Sequence, residues 1–567
     1  MKRGSSGAAA DPHHPALAFH REVLIIQQWT SIRRAFLHEL ESVGATGVVQ
    51  WREPRKLWRH AQEALGKWIL SQVARVHLPP HRPPTAGATS TSTDAAAAAA
   101  RQLEADIHFF PSADQLRTAM SHADDDGRQP ELRTYDAQLV RDLSIKSNGA
   151  HDAAAVAALV QLVEHFGMAR RCAAAAEAVV AGMSGVTPAQ ALQPRIRRID
   201  ADDPQRTPQQ QRIDGPVAEV AVQWPRHWRR EQCRDCPPVS LPWAAVQKLR
   251  MCYDAVAEAA ERTRYDADGA TDATRERRFV LRAAAVILRY EGGLATGSLQ
   301  LCADTRLKQH LHAAGYHVMD LCASPINAYM GQPRPGRFKQ DTDVAGAAEV
   351  PNSFCSAFYD TDQYFGSLGS AVAVDPRRIH ADAAVNPRAA PLLLTLDVPY
   401  DEDLCELLFQ KLVRDMRGGA APAVVDYVLV LPLWWDIQMK IDKRLFGRGA
   451  TATAAPDAPA AVAESVAQVV RERAAVLREG YVVPYGWPAA LAEAAGDARG
   501  GAADAWVCFD GVFIDDDYTY FCTATNKSLR GVTATEVIGL AQPRPSPQLR
   551  TALDAFYGGC SSTSTPV

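Results

Sequence analysis

From Tyr316 onward the chain is divided into short apolar runs bounded by turn residues. They are Tyr316-His317-Val318-Met319-Asp320-Leu321, Leu392-Leu393-Leu394-Thr395-Leu396, Tyr427-Val428-Leu429-Val430-Leu431, and lastly residues 506–513 with 518–523. A strand that is apolar on both faces must be covered on both faces, which is the setting of a mostly parallel sheet. Residues 404–416 have helical spacing between the second and third runs. Strand, helix, strand and a closing hairpin predict an α/β domain.

Upstream the period becomes helical. Leu24, Ile25, Trp29, Ile32, Phe36 and Leu40, then Leu57, Ala61, Leu65, Trp68 and Ile69, predict two or three amphipathic helices over residues 16–78. Further helices are predicted over 137–181, 241–264 and 275–290. The expected organisation is a disordered leader at 1–15, a helical domain at 16–300, an α/β domain at 301–545 and a tail at 546–567. Residues 79–100 and 194–214 read as low-complexity or polar insertions in the helical part, and 447–461 as an insertion in the α/β part.

With 47% hydrophobic residues in 567, the chain has enough apolar mass for a large core, which excludes a wholly disordered protein. Its 61 Lys+Arg against 65 Asp+Glu give a net charge of -4, so a nucleic-acid partner must be met by a local basic patch. Several of the eleven cysteines lie inside apolar runs such as Leu321-Cys322-Ala323, the usage of a reducing compartment. No stretch of about 18 apolar residues suggests a membrane span. The expectation is a soluble intracellular protein without a membrane partner.

In open α/β sheets ligands sit beyond the carboxyl ends of the strands. After Leu396 stands Asp397-Val398-Pro399-Tyr400, an acid or amide, x, Pro, aromatic tetrapeptide of the form that amino-directed methyltransferases place after a strand. A side-chain oxygen of Asp397 and the carbonyl of Val398 can accept hydrogen bonds from an exocyclic amine, favouring the positive charge that develops as it attacks. Tyr400 can stack on the base and Pro399 stiffens the turn. The proton lost afterwards goes to Asp397 or to water. Four residues of this looseness also make an ordinary turn with a packed Tyr.

Other features have two readings each. Trp434, Trp435 and Asp436 follow a strand and combine aromatic rings with a carboxylate, which suits a cationic 7-methylguanine; equally they fit a core and a domain contact. Arg195, Arg197 and Arg198, and then Arg226, Arg229 and Arg230, are either a guide for an RNA backbone or solvated charge. Cys233-Arg234-Asp235-Cys236 is a lone C-x-x-C, short of ligands for zinc, and no metal is expected.

Two longer blocks carry a resemblance. Leu321-Cys322-Ala323-Ser324-Pro325-Ile326-Asn327-Ala328-Tyr329 and residues 354–369, which include Phe354-Cys355-Ser356-Ala357-Phe358 and Tyr364-Phe365-Gly366-Ser367, resemble the cap-specific adenosine N6-methyltransferases known as phosphorylated CTD-interacting factors. Leu288-Arg289-Tyr290-Glu291 and Pro432-Leu433-Trp434 add to it, so it spans about residues 275–436. The resemblance implies a Rossmann-like methyltransferase domain preceded by a helical one, with S-adenosylmethionine as cofactor and N6 of the cap-adjacent adenosine of mRNA as target. It implies nuclear location, the cytoplasm being the alternative.

Carried over, Asp397, Val398, Pro399 and Tyr400 take the catalytic places of the family's Asn-Pro-Pro-Phe. Ala323, Ser324, Pro325 and Asn327 fall beside the cofactor, and Asp360, Asp362, Phe365, Gly366 and Ser367 match the second block. A carboxylate at Asp360 or Asp362 is expected to hold ribose hydroxyls, or else to cap a loop. The Asp-Val departure keeps two acceptors, leaving dimethylation or an inactive RNA-binding protein as alternatives. No WW module is expected, because Trp51, Trp58 and Trp68 lie in a helical pattern, and the polymerase tail is accordingly not expected as a partner.

Methyl-transfer assays paired with cofactor titration test these roles. Asp397→Ala and Tyr400→Ala should suppress turnover more than cofactor binding, and an intact rate in Tyr400→Ala would remove the base-stacking role.

Overall fold

The computed structural model describes residues 11, 13–77, 109–121, 136–148, 152–225, 233, 235–265, 271–294, 301–330, 353–374, 391–397, 404, 407, 408, 411, 425–432, 508–515, 518–530, 535–542 and 546–558. They form a mixed α/β protein, with helices in its N-terminal part and a region of parallel sheet after it.

Helix α1 (Pro15–Ala45) starts where the sequence permits. Pro15 lacks the N–H that a first helical position cannot use, and the His14 ring accepts from the Ala16 N–H at 3.2 Å. Ile25, Trp29, Ile32, Phe36 and Leu40 recur every three or four residues and are all buried. Its first turns are buried on every side, because the helices Met168–Met183 and Asp272–Ile287 pack against them. Helix α2 (Leu57–Val76) adds Leu65, Trp68, Ile69 and Val73 to the same core. The expected leader is fastened in part: Asp11 accepts from the Tyr265 hydroxyl at 3.0 Å and pairs with Arg264 at 2.9 Å.

The polar segment expected to be a surface loop at 194–214 contains a strand. β1 (Gln193–Ile199), β2 (Val217–Gln223) and β3 (Val239–Pro242) form an antiparallel sheet in that order. Exposed Arg195, Arg197 and Arg198 hide the strand in composition, while Pro194 and Ile199 face inward. Arg206 closes the turn before β2 by donating to the carbonyls of Ala201, Gln210 and Ile213.

The C-terminal part holds β4 (Leu301–Cys302), β5 (His317–Ala323), β6 (Phe354–Ser356), β7 (Leu392–Asp397), β8 (Val425–Pro432), β9 (Cys508–Asp515), β10 (Thr519–Cys522), β11 (Lys527–Arg530) and β12 (Thr535–Gln542). Six of these make one sheet in the order β6-β5-β7-β8-β12-β9. β6, β5, β7 and β8 are mutually parallel, and β12 runs antiparallel to both β8 and β9. The hairpin expected from 506–513 and 518–523 does not form. β9 pairs with β12, and β10 pairs with β11 and β4 in a small separate sheet. β12 has no counterpart among the expected strands, yet it satisfies the backbone of two neighbours at once. Residues expected to be a tail form the helix Pro547–Gly558 against this sheet. A Cβ at Gly539 would meet Leu553 Cδ1 at 2.7 Å, so glycine is what permits that approach.

The helical and sheet parts meet at a buried ion cluster. The helix Asp272–Ile287 runs into a π-helical turn, Leu288–Gly293, which is anchored when Trp29 Nε1 donates to the Gly293 carbonyl at 2.7 Å. The turn carries Arg289, fully buried. Arg289 binds Glu22 of α1 through Nε at 2.8 Å and through Nη2, and binds Asp360 through Nη1 at 2.8 Å and Nη2 at 3.0 Å. Arg21 Nη2 reaches the same Asp360 at 3.3 Å, so two cations face two carboxylates.

Breaking such a cluster from one side strands charge in the interior. Arg289→Met should cost roughly 3–5 kcal/mol in denaturant unfolding. Arg198→Ala, which removes an exposed pair with Asp200, should stay within about 1 kcal/mol.

Candidate functional site

β5 has β6 on one side and β7 on the other, which makes its carboxyl end the point where the strand order reverses. A cleft of about 890 Å³, counted with its open mouth, lies there. Its floor is the end of β5 and the following turn, with Leu321, Ala323, Ser324, Ile326 and Asn327. Ser356 and Ser370 line a second side, and Tyr290 and Glu291 of the π-helical turn a third. Leu70 and Ala74 of α2, with Leu404 and Leu408, make it largely apolar. Glu291 is the one charged residue on its wall among the described residues.

The turn after β5 is built by reciprocal bonds. Asn327 Oδ1 accepts from the Ser324 N–H at 2.6 Å and from Ser324 Oγ at 3.0 Å, and the Asn327 N–H returns to Ser324 Oγ at 3.3 Å. Of the residues expected beside a cofactor, Ala323, Ser324 and Asn327 line the cleft, and Pro325 is buried behind them.

The second block is placed differently from its expectation. Asp360 is engaged by Arg289 and Arg21, and Asp362 Oδ2 accepts from the Tyr290 hydroxyl at 2.6 Å while Oδ1 accepts from Thr361 Oγ1 at 2.8 Å. Neither lines the cleft, and both carboxylates have protein partners. Phe365 packs in the core by Tyr253. Gly366 holds a φ of 101°, which only glycine adopts freely, and so turns the chain back alongside β6. Ser367 Oγ bonds Ser356 Oγ at 2.7 Å. Leu288-Arg289-Tyr290-Glu291 and the block at 354–369 are thus two halves of one assembly that backs the cleft.

Asp397 closes β7, next to β5. Its Oδ2 accepts from the Ala303 N–H, and burial pushes its carboxyl up to about 6 against the opposing pull of Lys308. Lys308 is itself buried and pairs with Asp320 in mid-β5 at 2.7 Å. Asp397 is not part of the cleft wall. Val398, Pro399, Tyr400, Trp434, Trp435, Asp436, Arg226, Arg229 and Arg230 lie outside the described residues. Of the other basic stretch, Arg197 pairs with Glu219 and Arg198 with Asp200.

The expected strand ends do not point to Ser356, Ser370, Glu291 or Thr523. Ser356 ends β6, so the carboxyl-end rule reaches it once β6 is recognised as a strand. Thr523 follows a strand of the other sheet and has no local signal. Among the described residues no group of three metal ligands occurs, and no helix is long and apolar enough to cross a membrane.

Burial pushes the Asp362 carboxyl up to about 7, above its value in an unfolded chain, so the folded protein holds that proton more tightly. Its contribution to stability is therefore full below about pH 4 and is lost as pH rises toward 7. Asp362→Asn should flatten this loss, which urea midpoints of the two proteins across that range will show.

A family model described as the Phosphorylated CTD interacting factor 1 WW domain matches residues 260–454, about a third of the chain. A search of curated proteins finds no match. The expectation that the WW element is missing is corrected by this match. Trp51, Trp58 and Trp68, on which that expectation rests, stand outside the matched residues. The described part of the match includes the π-helical turn and strands β4 to β8. The match points to the phosphorylated CTD interacting factor 1 family.

Proposed function

We propose that this chain is an S-adenosylmethionine-dependent methyltransferase acting on N6 of the cap-adjacent adenosine of mRNA. The observation that carries the reading is the cleft at the carboxyl end of β5, bordered by Ser324 and Asn327, one strand away from Asp397. The family match over residues 260–454 supports it.

The residues present fit the cofactor. The cleft is largely apolar with a few polar groups, as small-molecule sites are, and the wall offers Ser324, Asn327, Ser356, Ser370 and Thr523 for a nucleoside. A wall whose charged residue is Glu291 suits a cation better than a phosphate. The cofactor, when bound, supplies an electrophilic methyl group on a sulfonium. On the protein side, Asp397 has one oxygen fixed by the Ala303 N–H and the other left to accept from the adenine amine. The Val398 carbonyl is the second acceptor and Tyr400 the stacking face, so the amine is oriented and its developing charge stabilised. Asp397 or water takes the proton released.

The description of the matching model also names a phosphorylated CTD. The phosphorylated tail of RNA polymerase II is therefore a proposed partner, and the nucleus the proposed location.

Labelled S-adenosylmethionine with capped and uncapped RNAs beginning in adenosine tests the reading. Label on capped RNA is expected; cofactor binding without transfer to any RNA would favour the inactive RNA-binding protein. Products resolved by mass will show one methyl group or two. Because Asp397 accepts as the carboxylate, kcat should fall as pH drops through about 6. Asp397→Asn keeps an acceptor that cannot titrate and should lose this acid limb, whereas Asp397→Ala should lose about 10²-fold in kcat.

A further inference from the structure

Lys248 lies on the helix Trp243–Val256, outside the wall of the cleft. Its Nζ donates to the carbonyl of Ile326 at 2.9 Å and to the carbonyl of Ala328. Among the described residues no carboxylate pairs with it. Burial lowers its pKa, with Cys252, Cys302 and Asp320 opposing. An ammonium taken out of water for two neutral carbonyls is a poor device for stability alone, since an apolar side chain of similar volume fills such a site as well. What it supplies is geometry. The two carbonyls flank Asn327, whose Oδ1 holds the Ser324 N–H and hydroxyl, so one cation fixes the outer side of the turn whose inner side lines the cleft.

We propose that Lys248 is a positioning residue for the cofactor cleft, holding Ser324 and Asn327 in register through the Ile326 and Ala328 carbonyls. The identity of the ligand rests on the methyltransferase reading above; the mechanical role of Lys248 does not. Lys248→Met keeps the stem and removes the donors, whereas Lys248→Arg keeps a charged donor.

The experiment uses the full chain and has two readouts, titration with S-adenosylhomocysteine and amide hydrogen exchange. In Lys248→Met the dissociation constant should rise about tenfold. Exchange over residues 324–330 should quicken while the helix Thr305–Ala313 keeps its protection. KM for S-adenosylmethionine should rise with little change in kcat or in KM for RNA. Lys248→Arg should recover most of the affinity. Unchanged exchange at 324–330, unchanged affinity in a variant whose turn has loosened, or a uniform loss of protection in both variants would overturn the proposal. A wild-type chain that binds no S-adenosylhomocysteine would instead defeat the methyltransferase reading, and the exchange contrast alone would then decide the role of Lys248.

Discussion

The guanidinium of Arg289 is the contact through which the two halves of the protein define one another. It joins Glu22 on α1 to Asp360 beside the sheet, and its Cζ lies 4.8 Å from the centre of the Phe358 ring. Buried ion clusters seldom add net stability, because desolvation offsets their attraction, but they tolerate few alternative arrangements. That selectivity bears on function here. Tyr290 and Glu291, the next two residues, form one wall of the cleft, and Leu70 and Ala74 of α2 form another. A shift of α1 against the sheet would move these walls.

The cleft and the strand end beside it differ in electrostatics. The cleft is mostly apolar with small hydroxyl and amide groups, the pattern of a site that recognises shape and a few hydrogen bonds. Asp397, one strand away, sits above the buried pair Lys308 and Asp320, and burial and nearby charge act on its carboxyl in opposite directions. At Asp362 burial outweighs more opposition: its carboxyl is pushed to about 7, although Tyr290, Ser356 and Thr361 donate to it and Arg289 stands near. The two acids thus differ in protonation because their surroundings differ.

Much of the sheet is legible in the sequence, because strands covered on both faces are mostly apolar, and β5, β7 and β8 are, with single buried polar positions such as Asp320 and Asp426. The long helices are legible for a related reason, Trp29, Ile32, Phe36 and Leu40 falling on one face. β1 is hidden since three of its seven residues are exposed arginines, and β6 since three residues are too few for a periodic signal. The pairing of β9 with β12 in preference to β10 depends on segments far apart in sequence, and no local pattern encodes it. The partners of Asp360 and Asp362 escape the sequence for the same reason: a carboxylate has the same sequence appearance whether it faces a ligand or a buried arginine.

By itself, the sequence determined that the long helices and the central strands must be buried, and that an acid followed by Val398, Pro399 and Tyr400 stands at the end of one such strand, since periodicity and turn chemistry act over a few residues. Tertiary structure decided which strand ends converge on a cleft, which carboxylates meet protein partners, and that a lysine on a separate helix donates to two carbonyls of the turn that lines it. Those outcomes depend on partners up to several hundred residues apart, as with Glu22 and Asp360, and burial, which sets each group's charge and reach, exists only once such partners have met.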